Sequence, residues 1–484
     1  MSRSSVYVVG IDQGTAATRA TQLHGDGEVV ALCSLEHRQF YPQAGWVEHD
    51  ARELLSSVEQ CLDYAVGAAA VGLDSQGETV VAWNADTGEP ICRAIVWQDN
   101  RTHATLDNLR NDGAEILTLA RAGLPLDTYF SASKLRWILE HVPEARSLAS
   151  KRRLRLGTTD AFFLDRLCGV YATDVTAASR TSLMNLATRN WDPELCRLFG
   201  VPIDLLPPIR PTVGEFGILK RLKIPLVASV SDQQAALFGH GCHAPGQVKI
   251  TFGSGALALA VTGVEPKGRG GRGMLSTVAW QIGDAPTYAL DGGVYNATSA
   301  MHWVRGLGLY QTDRELARFD GPSALERGLV FVPALSGLAS PYWDHSAAGM
   351  WLGMGLHTEP RDLVRAALEG VALRSAQALA AMSTHIPLST AVSIDGPLAR
   401  SEYFCDFLAR ALDRTVLVPA SPDLTSLGCA QLAYIGAGLA PIDALPAAGL
   451  PGRCASPVAP LSADHLARFD DAVSRARGWR SASH

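Results

Sequence analysis

No apolar stretch in this 484-residue sequence is long enough to span a membrane. The apolar run at residues 6–11 is too short for the core of a signal peptide and leads into a turn, so we expect no secretion signal. The nine cysteines stand singly, without a C-x-x-C pair, which disfavours a zinc site or a disulfide framework. These absences together predict a cytoplasmic protein with reduced thiols.

A strong charge of either sign is also missing. The sequence has 42 Lys and Arg against 48 Asp and Glu, for a formal net charge of -6. This balance gives no electrostatic reason to expect a nucleic acid or an anionic membrane as partner. The 47% hydrophobic content is that of a globular enzyme, and the length predicts two domains of roughly 240 residues each.

The beginning of the chain alternates short apolar runs with glycine-containing turns. This pattern predicts strands at residues 6–11, 18–23, 29–34, 69–73 and 79–83. Asp50, with Glu53 three residues on, predicts a capping box at the start of a helix. Strands followed by alternating helix and strand indicate a mixed α/β fold.

A related pattern returns half a chain later. Strands are predicted at residues 248–252 and 256–262 around a Gly-Ser-Gly turn, and an amphipathic helix is predicted at residues 362–382. Two strand–glycine turn–strand units about half a chain apart predict two similar domains that face each other.

Both of these turns carry groups suited to phosphate. In Asp12-Gln13-Gly14-Thr15, the glycine lets the backbone approach an anion, Thr15 offers donors, and Asp12 can hold a hydrated Mg²⁺. Gly253 and Ser254 form the second turn. Alone, each motif is better explained as an ordinary hairpin, whereas the pair, one in each half, favours a phosphate clamp.

Asp232 stands at the start of an apolar run, in Ser231-Asp232-Gln233-Gln234. Phosphoryl transfer to an alcohol needs a carboxylate that accepts the hydroxyl proton. An Asp heading a helix is also a favoured N-cap. The two roles are compatible, because a helix N-terminus would hold the carboxylate ionised and fixed.

Seven runs of residues carry a family resemblance, in order from the start of the chain to residue 438. They are GIDQGTAATRA, YPQAGWVEHD, ETVVAWNADTGEPICRAIVWQDNRT, TYFSASKLRWIL, SDQQAALFGHG, GLASPYWD and TSLGCAQLAYIGAG. With them the chain resembles the FGGY carbohydrate kinases, and among these the glycerol kinases. The resemblance implies an α/β fold of two actin-like (ribonuclease H-like) domains that close on a small polyol or sugar and on ATP with Mg²⁺. It further implies a substrate domain at residues 1–240, a nucleotide domain at residues 241–484, and a homodimer or homotetramer.

The resemblance also assigns roles to individual residues. It implies that Asp232 is the general base and that Asp12 and Asp232 hold Mg²⁺. The polyol-binding residues it implies are Gln76, Glu78, Trp97, Tyr129, Asp232 and Gln233. The ATP-binding residues it implies are Asp12, Gly14, Thr15, Arg19, Gly253, Ser254, Thr298, His302, Gly396, Pro397 and Ser401. For Trp97 and Tyr129, core packing is the alternative that the residues alone would favour.

Two departures from the family pattern concern the polyol pocket. Gly77 stands where glycerol kinases carry an arginine, and Leu257 stands where they carry an aromatic residue. A larger pocket that is less polar on one side predicts a four- or five-carbon acceptor such as erythritol, threitol or a pentitol. The alternatives are glycerol kinase proper, a ketopentose kinase, and a catalytically silent relative that senses a polyol.

Other departures concern the nucleotide side and regulation. The residues that touch nucleotide in glycerol kinases are replaced here by Thr298, His302, Pro397 and Ser401. Pro397 also removes a backbone N–H. These changes motivate the silent alternative, whereas retention of Asp12 and the other catalytic groups argues against it. The loop at residues 217–225 is shortened and lacks the glycines that bind fructose bisphosphate in bacterial glycerol kinase, so we expect no such inhibition.

Overall fold

The computed structural model describes residues 6–268, 271, 273–421, 423–445 and 451–480. The strands of this part are β1 (Tyr7–Gln13), β2 (Ala17–His24), β3 (Val29–Glu36), β4 (Glu48–His49), β5 (Val71–Ser75), β6 (Val80–Asn84), β7 (Ala94–Ile95), β8 (Leu154–Thr158), β9 (Thr173–Asp174), β10 (Met184–Asn185), β11 (Asn190–Trp191), β12 (Ile209–Arg210), β13 (Val213–Ile218), β14 (Pro225–Ser231), β15 (Val248–Phe252), β16 (Ala256–Gly263), β17 (Leu275–Ile282), β18 (Ala285–Val294), β19 (Val330–Val332), β20 (Met350–Leu352), β21 (Ala391–Asp395), β22 (Thr415–Pro419) and β23 (Pro451–Ala455).

Helices alternate with these strands along the chain. The α-helices are α1 (Ala51–Leu62), α2 (His103–Asn111), α3 (Glu115–Arg121), α4 (Ser131–His141), α5 (Pro143–Ser150), α6 (Thr159–Cys168), α7 (Val175–Ser179), α8 (Pro193–Phe199), α9 (Asp232–Gly239), α10 (Thr298–Gly306), α11 (Pro360–Ser383), α12 (Glu402–Leu412), α13 (Leu424–Gly436) and α14 (Ala463–Ala476). Short 3₁₀ helices lie at Asp63–Ala65, Ile203–Leu205, Asp313–Leu316, Pro397–Arg400 and Ile442–Ala444. Within the described residues, no helix combines the length and the apolar content that crossing a bilayer requires.

One 13-stranded sheet runs through both halves of the chain, in the order β23-β22-β21-β15-β16-β18-β17-β13-β14-β5-β1-β2-β3. In the first half, β1, β2 and β3 are antiparallel, and β5 and β14 continue the sheet parallel to β1. In the second half, β15 pairs antiparallel with β16 and parallel with β21. The two halves therefore repeat one arrangement, and they meet where Val213 of β13 pairs with Ile282 of β17.

Helices cover both faces of the sheet in the first half. Residues of α1 and α6 bury against one face. On the other face lie α9 and α13, and α13 comes from the second half of the chain. The two helices pack backbone against backbone, because a Cβ at Gly428 of α13 would lie 1.9 Å from the carbonyl oxygen of Ala235 in α9. The helix that begins with Asp232 therefore packs against both the sheet and α13.

The predicted strands and helices are confirmed, with shifts of a few residues at their ends. The predicted capping box is wrong in its second half. The Asp50 side chain accepts a hydrogen bond from the N–H of Arg52 and caps α1. The Glu53 carboxylate instead accepts from Arg38, at 3.1 Å from its Nε to Oε2. Arg38, two residues after the end of β3, thus binds the carboxylate that a capping box would have used.

Candidate active site

The first glycine turn joins β1 to β2 and presents Asp12 at the edge of the cleft. Asp12 is 3% exposed, and Arg19 Nη1 lies 3.2 Å from its Oδ2 across the β1–β2 pair. The N–H of Gly14 donates to the carbonyl of Ala17 at 3.0 Å and closes the turn. The Thr15 hydroxyl accepts a hydrogen bond from Trp97 Nε1 at 2.9 Å, so the turn is attached to one of the residues predicted to bind the polyol.

A second carboxylate, which was not among the predicted site residues, lies beside Asp12. Asp74 is the register partner of Asp12 in the parallel β1–β5 pair. It is fully buried, and neither of its carboxylate oxygens has a hydrogen-bond partner among the described residues. Burial and the negative charge of Asp12 raise the pKa of Asp74 well above its usual value, and burial and Asp423 raise the pKa of Asp12 to about 6. An Asp inside an otherwise apolar strand was the available signal.

Asp232 is the first residue of α9, directly after β14. The N-cap residue is Ser231, so the expectation that Asp232 itself caps the helix is wrong. Its Oδ1 accepts a hydrogen bond from the N–H of Gln233 at 2.7 Å, and part of its side chain stays accessible. Burial and the charges of Glu78 and Asp12 raise the pKa of Asp232 to about 7. A carboxylate of this pKa can gain and lose a proton near neutral pH.

The predicted polyol-binding residues Glu78, Trp97 and Tyr129 lie near one another and near Asp232, and we call this region the acceptor side. The rings of Trp97 and Tyr129 contact edge to face, with centroids 5.5 Å apart. Glu78 is 5% exposed, and its Oε1 accepts from Arg180 Nε at 2.6 Å. The guanidinium of Arg180 also lies 5.4 Å from the Tyr129 ring centroid. Arg180 was not among the predicted site residues, because nothing at the end of a short helix indicates that its side chain reaches Glu78 and Tyr129.

The two glutamines of the predicted pocket have different surroundings. Gln233 Oε1 accepts a hydrogen bond from Lys249 Nζ at 2.6 Å, and Lys249 is a fully buried residue of β15. A lysine in an apolar strand was the signal that could have identified this residue. Gln76 is 1% exposed, and its amide contacts His49 Nδ1 at 3.3 Å and accepts from the Thr79 hydroxyl at 2.9 Å. The polar groups of Gln76 are therefore already used inside the protein.

The second glycine turn joins β15 to β16 and is bound to the start of α10. The carbonyl of Ser254 accepts from the N–H groups of Ala297 and Ser299, at 2.9 and 3.1 Å. The carbonyl of Gly253 accepts from the N–H of Thr298 at 3.2 Å. Ser254 is exposed at the tip, so this turn presents a hydroxyl and backbone groups to the cleft.

The remaining nucleotide-side residues surround this second turn in different ways. Gly396 has φ of 92°, and a Cβ there would lie 2.2 Å from the Phe252 carbonyl, so the chain passes against the turn where only glycine fits. The Ser401 hydroxyl caps α12 and donates to the carbonyl of Leu316 at 2.6 Å. Pro397 and His302 are exposed.

One cavity of about 880 Å³ connects the acceptor side with the second turn. Trp97, Tyr129 and Leu257 line it at one end, and Ser254 and Gly255 line it at another. The same cavity can therefore hold an acceptor and a phosphate group side by side.

A divalent cation bound at this site would need some of its side chains as ligands. Among the described residues, no group of three or more His, Cys, Asp or Glu side chains is arranged to hold a metal. Mg²⁺ bound with a nucleotide typically uses one or two carboxylates and completes its shell with phosphate oxygens and water. Asp12 and Asp232, whose charges influence each other, fit that requirement.

Comparisons with known proteins agree with this geometry. The description "FGGY family of carbohydrate kinases, N-terminal domain" matches residues 7–239, and the corresponding C-terminal domain matches residues 248–437. A glycerol kinase of Geobacter sp. (strain M21) is 40% identical over 459 residues, covering 91% of this chain and 92% of the relative. One of Citrifermentans bemidjiense is 41% identical over the same length and coverage.

Solved structures show the same fold. The crystal structure of Plasmodium falciparum glycerol kinase with ADP has a TM-score of 0.89 at 26% identity, covering 97% of this chain and 98% of its own. A ligand-bound xylulose kinase of Lactobacillus acidophilus has a TM-score of 0.85 at 20% identity, covering 97% and 96%, and is similar in fold alone. The prediction of an α/β protein with two actin-like domains is confirmed.

Proposed function

The chain belongs to the FGGY family of carbohydrate kinases and is an ATP-dependent kinase of an alcohol group, and from this premise we propose that its acceptor is glycerol. The relatives named as glycerol kinases support this acceptor, since two of them are 40% and 41% identical over most of the chain. The observation that carries the proposal is the position of Asp232, which lies close enough to Glu78 and Asp12 for their charges to raise its pKa.

We assign the general base to Asp232. Its pKa of about 7 lets it receive the hydroxyl proton as the new P–O bond forms, and the N–H of Gln233 holds one carboxylate oxygen in place. Glu78 and Gln233 offer polar atoms for the other hydroxyls, while Trp97 and Tyr129 offer apolar faces for the carbon chain. Excluding water from this space would protect ATP from hydrolysis.

The phosphate groups of the nucleotide are assigned to the two glycine turns, with Gly14 and Thr15 on one side and Gly253 and Ser254 on the other. Asp12 and Asp232 are the residues that would hold Mg²⁺, and the cation would neutralise charge on the transferring phosphoryl group. We place the substrate side in residues 1–240 and the nucleotide side in residues 241–484.

A second candidate acceptor is a polyol of four or five carbons. It is favoured by the absence of a side chain at Gly77, by the aliphatic Leu257 in the pocket wall, and by a cavity of about 880 Å³. Arg180 weakens the expectation of a less polar pocket, because it brings a guanidinium to the acceptor side from another element.

The test is ADP release by the purified protein with Mg-ATP and a panel of glycerol, tetritols, pentitols and ketopentoses. We expect Asp232→Asn to lower kcat by about 10²- to 10⁴-fold on the best acceptor. Asp192→Asn is the matched control, because the Asp192 carboxylate binds Arg121, Asn185 and the N-terminus of α8 and none of the assigned site residues. Turnover by Asp232→Asn at the wild-type rate would refute the assignment. Absence of turnover with every acceptor, with polyol binding retained, would favour the silent alternative.

A further inference from the structure

Arg180 occupies an unusual position for an arginine. Only 3% of its surface is exposed, and it follows α7 at the acceptor side. It lies between two carboxylates, with Nε 2.6 Å from Glu78 Oε1 and Nη1 2.8 Å from Asp291 Oδ2. Asp291 lies in the middle of β18, in the second half of the chain. The pair of contacts therefore spans both halves of the molecule.

The contact between Arg180 and Asp291 is close but incomplete. Despite the 2.8 Å separation, Nη1 has no hydrogen-bond partner of suitable direction among the described residues. A buried donor without a partner costs free energy. An additional acceptor beside Nη1 would therefore bind favourably. Asp291 is 7% exposed, and it lines the cavity together with Tyr129 and Leu257.

Gly77 lies beside the Arg180 side chain. An ideal Cβ at residue 77 would lie 3.6 Å from Arg180 Cγ and 3.0 Å from the Ser231 hydroxyl. The path of the Arg180 side chain therefore borders the volume into which any side chain at residue 77 would grow.

We propose that Arg180 and Asp291 form a subsite for a non-reacting hydroxyl of the acceptor. A hydroxyl both accepts and donates, so it can take the free Nη1–H donor of Arg180 and donate to the Asp291 carboxylate. The ligand class is a polyol with at least one hydroxyl besides the one that is phosphorylated. This inference rests on the proposed function and adds two specificity-determining residues to it.

The experiment measures kcat/KM for glycerol and for two analogues that each lack one hydroxyl, 1,2-propanediol and 1,3-propanediol. With glycerol we expect Asp291→Asn to lower kcat/KM by about 10- to 100-fold, mostly through KM, and to leave the KM for ATP unchanged. With the analogue that lacks the bound hydroxyl, the substitution should cause no comparable loss, because the interaction is already absent. An equal loss with all three acceptors, or an equal rise in the KM for ATP, would overturn the subsite.

Two further variants keep the outcome interpretable. Arg180→Lys retains the charge between Glu78 and Asp291 but loses the forked donors, so it should show the same dependence on the acceptor if Asp291→Asn does not fold. Glu369→Gln is the control, since it removes the charge of another buried, arginine-paired carboxylate, 3.1 Å from Arg365 in α11. It should leave the KM for glycerol unchanged.

Failure of the proposed function would be recognised separately. If wild-type protein turns over no polyol, calorimetric titration with glycerol and the two analogues replaces the kinetic comparison. Weaker glycerol binding by Asp291→Asn, with no weakening for one analogue, would support the subsite even then. Glycerol binding that is the same in wild type and Asp291→Asn would refute it.

Discussion

Replacing Asp232 with asparagine should slow catalysis strongly and at the same time stabilise the fold. Burial and the charges of Glu78 and Asp12 raise the pKa of Asp232 from 3.8 to about 7. The folded protein therefore holds this proton more tightly than the unfolded chain does. The contribution of this proton to the free energy of unfolding is fully present below pH 3.8 and is lost as the pH rises towards 7. Above that pH it does not change further.

The size of the effect follows from the two pKa values. A shift of about 3 pKa units corresponds to about 4 kcal/mol at 1.36 kcal/mol per unit, all of which is lost at pH 8. At pH 5, only the interval from 3.8 to 5 has been crossed, and the loss is about 1.6 kcal/mol. Asparagine carries no charge, so the variant escapes both losses, and its advantage over wild type should grow by about 2–3 kcal/mol between pH 5 and pH 8.

The assay is calorimetric melting of wild type and Asp232→Asn at both pH values. Asp192→Asn serves as a control of opposite sign. Although burial opposes it, hydrogen bonds from Asn185 and Arg121 lower the pKa of Asp192. That carboxylate stabilises the fold above pH 3.8, so its loss should destabilise equally at pH 5 and pH 8. If Asp232→Asn melts below wild type at pH 8, or if its advantage does not change with pH, the electrostatic account of Asp232 is wrong.

Two further predictions concern the walls of the cleft. Gly396→Ala should cost about 1–3 kcal/mol of stability and raise the KM for ATP, because a Cβ at φ of 92° would press on the Phe252 carbonyl. Gly438→Ala is its control, with positive φ but open space around the added atom, and equal effects of the two on the KM for ATP would contradict the steric explanation. Leu257→Phe should reduce kcat/KM for pentitols relative to glycerol by about 10- to 100-fold in the acceptor panel, and an unchanged ratio would exclude Leu257 from the pocket wall.

The fold was largely predictable because its signals are local. The strands around both glycine turns follow from short apolar runs that the glycines interrupt, and α11 follows from a broad apolar stripe over residues 362–382. The placement of α13 was not predictable in this way. Its sequence indicates only a buried helix, whereas its position on the first half depends on close backbone contacts such as that between Gly428 and Ala235.

The site was predictable where the motif itself carries the chemistry. Asp12, Asp232 and the two glycine turns stand next to recognisable turn or helix signals. Arg180 and Asp291 were not predictable, because their meeting depends on the packing of α7 against β17 and on the register of β18. A pairing between residues 111 positions apart is set by tertiary structure, and no spacing in the sequence indicates it.

The origin of α13 in the second half has a consequence for how the protein is made. During synthesis, α9 is complete at residue 239, but the helix that covers it begins at residue 424, which is 185 residues later. At about 5–20 residues per second, the ribosome needs roughly 10–40 s to supply it. For that time Leu237, Phe238 and their neighbours lack their final cover. We therefore expect chaperones to bind the nascent first half, and we expect fragments that end before α13 to be insoluble when expressed alone.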